Sequence, residues 1–234
     1  MNYMKNIFFL ILLFLISFQF AVFGQNDKSK EDWANMKKYA MADKMLSAQV
    51  HGEDRIVFMG NSITEFWAKI DTDFFANKAY IDRGISGQTS PQMLLRFRQD
   101  VINLKPAVVV ILAGTNDIAE NTGPISLEDI MGNIISMAQL AKANNIKVIL
   151  SSVLPAYDFP WHPGLKPAEK IAKLNSMIKS YCKENNIVYL DYYSKMVDEK
   201  MGLDQKYTND GVHPTLAGYK VMDALVEKAI KKTL

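Results

Sequence analysis

Ala107-Val108-Val109-Val110-Ile111-Leu112 carries no polar residue on either of the two faces that a strand would present. A strand apolar on both sides must be covered on both, as in the centre of a parallel sheet with helices above and below. Ile56-Val57-Phe58-Met59 repeats the pattern, and further strands are expected at 79–82, 147–153 and 187–190. Between the strands lie apolar residues at helical spacing. Leu94, Phe97, Val101 and Leu104 form one stripe, and Leu127, Ile130, Met131, Ile134, Ile135, Ala138 and Ala141 a second. Ile171, Leu174, Ile178 and Tyr181 mark a helix over 168–184, and a last helix is expected over 215–231. Ser90 before Pro91, and Ser126 with Asp129 three residues on, read as helix caps. Asn-Asn-Ile recurs at 144–146 and 185–187, two helix-to-strand joints of the same kind. The expectation is an α/β fold of three layers, α/β/α, on a five-stranded, mainly parallel sheet. Ligands of such sheets bind beyond the carboxyl ends of the strands.

Residues 1–24 read as a signal peptide, with Lys5, an apolar run over 7–16, and Ala21-Val22-Phe23-Gly24 ahead of Gln25. The run is short for a membrane span, although an uncleaved amino-terminal anchor is the alternative. Export to the periplasm or medium, without stable membrane insertion after cleavage, is expected. Residues 25–234 suit a single domain. A modest amphipathic segment around Trp33, Met36, Tyr39 and Met45 is expected to pack outside it, and His51 to lie on the surface. With 27 Lys and Arg against 25 Asp and Glu and no dense basic run, nucleic acid is not an expected partner. Cys182 is the lone cysteine and there are three His, so neither an internal disulfide nor a Cys/His metal cluster is available. No cofactor is expected.

Polar clusters fall at the expected strand ends. Gly60-Asn61-Ser62 follows the first strand, Gly84 and Asn116 follow the next two, and Asp210-Gly211-Val212-His213 precedes the last helix. A tight turn at Gly211 would bring the Asp210 carboxylate to Nδ1 of His213 and leave Nε2 facing outward. A serine hydroxyl needs such a base to become a nucleophile. Each piece also has a plain reading. Ser62 could cap a helix, Asn116 could satisfy a turn, and Asp210 and His213 could be a capping Asp and a satisfied loop His.

Gly60-Asn61-Ser62-Ile63, Arg83-Gly84-Ile85-Ser86-Gly87, Gly114-Thr115-Asn116-Asp117 and Asp210-Gly211-Val212-His213-Pro214 together resemble the four blocks of the SGNH, or GDSL-type, esterase/acylhydrolase family. The flavodoxin-like sheet of that family is then implied. The resemblance implies Ser62 as nucleophile, His213 as general base and Asp210 as its orienting acid. It also implies an oxyanion hole of the Ser62 and Gly84 N–H groups with the Asn116 amide. Asn61 departs from the family's Asp and can still cap the following helix. Thr64 stands where an α/β-hydrolase elbow would have its second Gly.

Arg83-Gly84-Ile85-Ser86-Gly87 followed by Thr89 is similar to the branch of platelet-activating-factor acetylhydrolases and bacterial carbohydrate acetylesterases. The implied activity is hydrolysis of short, acetyl-type esters of a carbohydrate or another small alcohol. A lysophospholipase or thioesterase, and a non-catalytic carbohydrate-binding protein, are the alternatives. Tyr157 and Trp161, in a loop rich in Pro and aromatic residues, are candidate substrate contacts or simply loop packing. Phe66 and Trp67 are expected in the core. His162 lacks a carboxylate placed as well as Asp210 and is not expected to act as base.

Overall fold

The computed structural model describes residues 32–46, 54–76 and 79–234. Residues 1–24, where a signal peptide is expected, and His51 lie outside them. Five strands, β1 (Ile56–Gly60), β2 (Tyr80–Gly84), β3 (Val108–Ile111), β4 (Lys147–Ser151) and β5 (Val188–Leu190), form one sheet in the order β2-β1-β3-β4-β5. Every pairing is parallel, with Ile56 opposite both Tyr80 and Val108. After a short helix α1 (Ala40–Met45), the longer helices are α2 (Ser62–Ile70), α4 (Ser90–Asp100), α6 (Leu127–Ala143), α7 (Ala168–Glu184) and α9 (Leu216–Thr233). Single turns α3 (Thr72–Phe75), α5 (Thr115–Ile118) and α8 (Tyr193–Met196) are the remaining α-helical elements among the described residues. Residues 34–234 make one compact unit.

Alternation along the strands divides the core in two. Val57, Met59, Val109, Ile111, Val148 and Leu150 face α4, α6 and α7, and Cys182 is buried among them. Ile56, Phe58, Val108, Val110 and Ile149 face α2 and α9, where Trp67 stacks on Tyr219 with centroids 5.7 Å apart. Both faces are therefore apolar because both are covered.

The repeated Asn-Asn-Ile joints have a common cause. Asn144 and Asn185 turn their amides back onto the carbonyls of Leu140 and Tyr181. Asn145 (φ 59°) and Asn186 (φ 54°) then take the left-handed conformation that ends a helix. Two local expectations are corrected. The cap of α4 is Thr89, whose N–H donates to Gln92 Oε1 at 3.0 Å, and Ser90 is the first helical residue. Of the described residues around the expected amphipathic segment, Ala40–Met45 are helical, with Met41 and Met45 exposed.

Candidate active site

β1 carries Ser62 into place. Asn61 Oδ1 accepts from Ile63 N at 2.9 Å and so caps α2, as an Asp would, while its Nδ2 is buried without a hydrogen bond. Ser62 then opens the helix with its N–H in the first turn, where backbone donors have no helical acceptor. Its Oγ lies 2.9 Å from His213 Nε2. His213 Nδ1 lies 2.6 Å from Asp210 Oδ2. Hydroxyl, imidazole and carboxylate thus stand in one line.

The loop before α9 explains how Asp210 and His213 meet. Gly211 takes φ 81°, a value that a residue with a Cβ rarely adopts. That turn lets Asp210 Oδ1 accept from the N–H groups of Val212 and His213 at 2.9 and 2.8 Å. Thr208 Oγ1 closes the loop by donating to His213 O at 2.8 Å. Burial pushes the Asp210 carboxyl up, but the His213 ring and the two N–H donors outweigh it, and its pKa lies below the ordinary value. Asp210 is therefore a carboxylate at neutral pH and holds the ring with Nδ1 as donor.

Asn116 is buried in α5, and its Nδ2 donates to Gln88 O at 3.0 Å, leaving the second amide hydrogen for another acceptor. Gly84 does not fit the donor role the family resemblance implied. Its N–H already donates to Asp82 Oδ1 at 2.6 Å. The need for glycine there is steric, because a Cβ would sit 2.2 Å from Glu65 N and 2.7 Å from Asn61 O. β2 is packed directly onto the nucleophile turn. Three residues on, Gly87 takes φ 78°, and its N–H bonds to no described residue.

Several residues that the sequence did not reveal hold this arrangement. Glu65 Oε2 accepts from both the N–H and the hydroxyl of Ser86 at 2.7 Å, tying α2 to the 85–88 turn. Burial would raise the Glu65 carboxyl, yet Lys38, Lys69 and Ser86 hold it down to about 2. Arg96, fully buried, donates to Gly60 O at 3.0 Å and to Gln88 Oε1 at 2.5 Å, so one guanidinium joins the end of β1 to the turn that touches Asn116.

The rim is aromatic. Phe66, expected in the core, is only half-buried, with its ring 5.2 Å from the His213 ring. Trp161 stands 6.0 Å from the same ring, stacks on buried Phe159, and donates from Nε1 to Asn121 Oδ1 at 3.0 Å. Asn121 in turn donates to Gly87 O at 3.2 Å. His162 Nδ1 lies 2.9 Å from Ala119 O and anchors the loop. Tyr157 is 65% exposed and stands farther out.

The sequence pattern of the GDSL-like lipase/acylhydrolase family matches residues 58–221. A crystal structure of a GDSL-like lipase from Bacteroides thetaiotaomicron is 57% identical, with a TM-score of 0.84 over 86% of this chain and 99% of that one. A protein assigned as an acylhydrolase from Bacteroides fragilis is 54% identical, with a TM-score of 0.86 over 87% of this chain and 99% of that one. The human platelet-activating factor acetylhydrolase IB subunit alpha2 is 27% identical over 77% of this chain and 80% of its own length. The chain, an esterase by its fold and family pattern, belongs to the GDSL-like lipase/acylhydrolase family.

Proposed function

We propose that the protein is a serine esterase that removes a short acyl group, acetyl foremost, from a carbohydrate hydroxyl through an acyl-Ser62 intermediate. The observation that carries this reading is the line from Ser62 Oγ to His213 Nε2 at 2.9 Å and from His213 Nδ1 to Asp210 Oδ2 at 2.6 Å. In the first half, Oγ bonds to the ester carbonyl carbon while its proton passes to His213 Nε2. Collapse of the tetrahedral adduct breaks the bond to the alcohol oxygen, which leaves with that proton. In the second half, His213 draws a proton from water, the hydroxide adds to the acyl carbon, and Ser62 departs reprotonated as the acid is released.

Charge that develops on the carbonyl oxygen needs donors already in place. Ser62 N–H at the start of α2 and the second amide hydrogen of Asn116 are two. With Gly84 N–H engaged by Asp82, the open N–H of Gly87 is the third that the same loop offers. Loss of one such donor lowers the rate by about 10²–10³-fold. The rings of Phe66 and Trp161, 5.2 and 6.0 Å from that of His213, put aromatic bulk close to the base, which favours a short acyl group. The human relative is an acetylhydrolase by name, which favours the same reading. The leader expected over residues 1–24 supports export, and among the described residues no helix is long and apolar enough to cross a membrane.

A series of p-nitrophenyl esters of increasing acyl length, run on wild type and Ser62→Ala, tests this. Acetate turns over fastest, and Ser62→Ala loses on the order of 10⁴–10⁶-fold in kcat. A rate that climbs with chain length would replace the acetyl reading by a lysophospholipase or thioesterase. Undiminished turnover by Ser62→Ala would remove Ser62 from the chemistry.

A further inference from the structure

Behind Asp210, an open cleft of about 820 Å³ runs between the loop over 157–163 and the chain from 198 to 211. We propose that this cleft is the subsite for the sugar chain on the alcohol side of the ester, and that its ligand is an uncharged oligosaccharide. The inference rests on the esterase reading for its place in the reaction, and on the cleft alone for its ligand. The volume lies within the range of about 300–1,000 Å³ of pockets that take small organic ligands. Asp210 and Gly211 belong both to its lining and to the histidine loop, so the cleft adjoins the catalytic line at its Asp210 end, and a sugar chain of several residues leaving the ester oxygen would pass His213 to reach it.

The walls are fixed before any ligand arrives. Asp198 accepts from the N–H groups of Lys200 and Gly202 at 2.9 and 2.8 Å, which closes the turn of one wall on itself. Asp158 does the same for the other wall through Gly164 N at 2.8 Å. Gly202 lets the two walls touch, since a Cβ there would lie 3.1 Å from Tyr157 Cβ. The Tyr157 ring is left largely exposed over the opening.

The lining chemistry selects the ligand. Asp158, Asp198 and Asp210 face one lysine, Lys200, so the cleft repels phosphate and carboxylate groups. All three carboxylates already hold their own loops. Gln205 and Asn209 are exposed, and their amides bond to no described residue. A side-chain amide donates and accepts at once, which matches a sugar hydroxyl. A tyrosine face beside such amides matches the apolar C–H face of a sugar ring. An open, mixed-polarity cleft is the wrong shape for a long acyl chain, which needs enclosure in apolar surface.

The test is a ratio. For wild type, Tyr157→Ala and Asn209→Ala, kcat/KM is measured on O-acetylated xylo- and manno-oligosaccharides and on p-nitrophenyl acetate, whose alcohol is too small to reach the cleft. Each substitution lowers the ratio of oligosaccharide to small-ester activity by about tenfold, and the loss appears chiefly in KM. In parallel, Ser62→Ala is titrated calorimetrically with the same oligosaccharides without acetyl groups and, separately, with inorganic phosphate. Binding of the neutral sugars that Tyr157→Ala weakens supports the subsite, even if wild type hydrolyses no ester and the esterase reading falls. An unchanged ratio without sugar binding overturns the subsite. So does phosphate binding that Lys200→Ala abolishes.

Discussion

Ser62 is 8% exposed on a turn whose supports, Asn61 and Arg96, are fully buried. Its partner residues are open, for the side chains of His213 and Asp210 are 23% and 42% exposed. The supports differ in kind as well. The serine turn is held by contacts between distant parts of the chain, such as Arg96 on Gly60 O and Ser86 on Glu65. The histidine loop is held by bonds that begin and end within 208–213. The serine side is thus part of the folding core. The histidine side is a loop closed by its own hydrogen bonds and seated on the core through buried Val212, so the charge of Asp210 can be changed apart from the packing.

The largest expected effect falls on the open side. Asp210→Asn keeps the shape of the loop and removes the charge that fixes the imidazole, so kcat drops by about 10⁴-fold. Thermal unfolding followed by circular dichroism should move little. A large fall in Tm would mean that the loop is no more separable than the serine turn.

Arg96→Met makes the opposite cut. It leaves Asp100, 1% exposed, without the guanidinium 2.8 Å away, and Gly60 O and Gln88 Oε1 without a donor. Removal of one partner of a buried pair costs about 3–5 kcal/mol, which for a chain of this size lowers Tm by on the order of 10 °C. Unchanged denaturant and thermal midpoints would break the comparison.

The smallest effect probes the serine side alone. Burial pushes the Asp82 carboxyl up to about 7, against the opposing pull of Gly84 N–H and Arg83. Because the folded value lies above the ordinary 3.8, the stability in question is present at low pH and is lost as pH rises towards about 7. Asp82→Asn should therefore flatten the decline in Tm between about pH 4 and pH 7. A slope identical to wild type would show that this carboxylate does not titrate in that window.

The same contrast explains what could be read from the sequence. The Gly211 turn involves neighbours only, so the meeting of Asp210 and His213 followed from their spacing. The α7 helix kept its expected bounds, 168–184, because its apolar stripe and the following Asn-Asn pair act locally. Contacts across long separations left no such trace. Nothing in the sequence marked Glu65, yet it clasps Ser86, 21 residues away. Asn121, which steadies Trp161 from 40 residues away, had no visible role. Gly84 was taken as a donor because family position marks a glycine without saying whether its N–H or its missing Cβ matters. Phe66 was placed in the core because hydrophobicity does not distinguish a buried ring from one at the edge of a site.

Cys182 sits on α7 at 1% exposure, and burial raises its thiol to about 12. The native protein therefore tolerates air and alkylating agents without a reductant in the buffer. Once the helical layer over that face of the sheet lifts, the same thiol meets solvent and reacts. The pace at which a maleimide dye marks this one sulfur in the purified protein is then a clock for breathing of the interior.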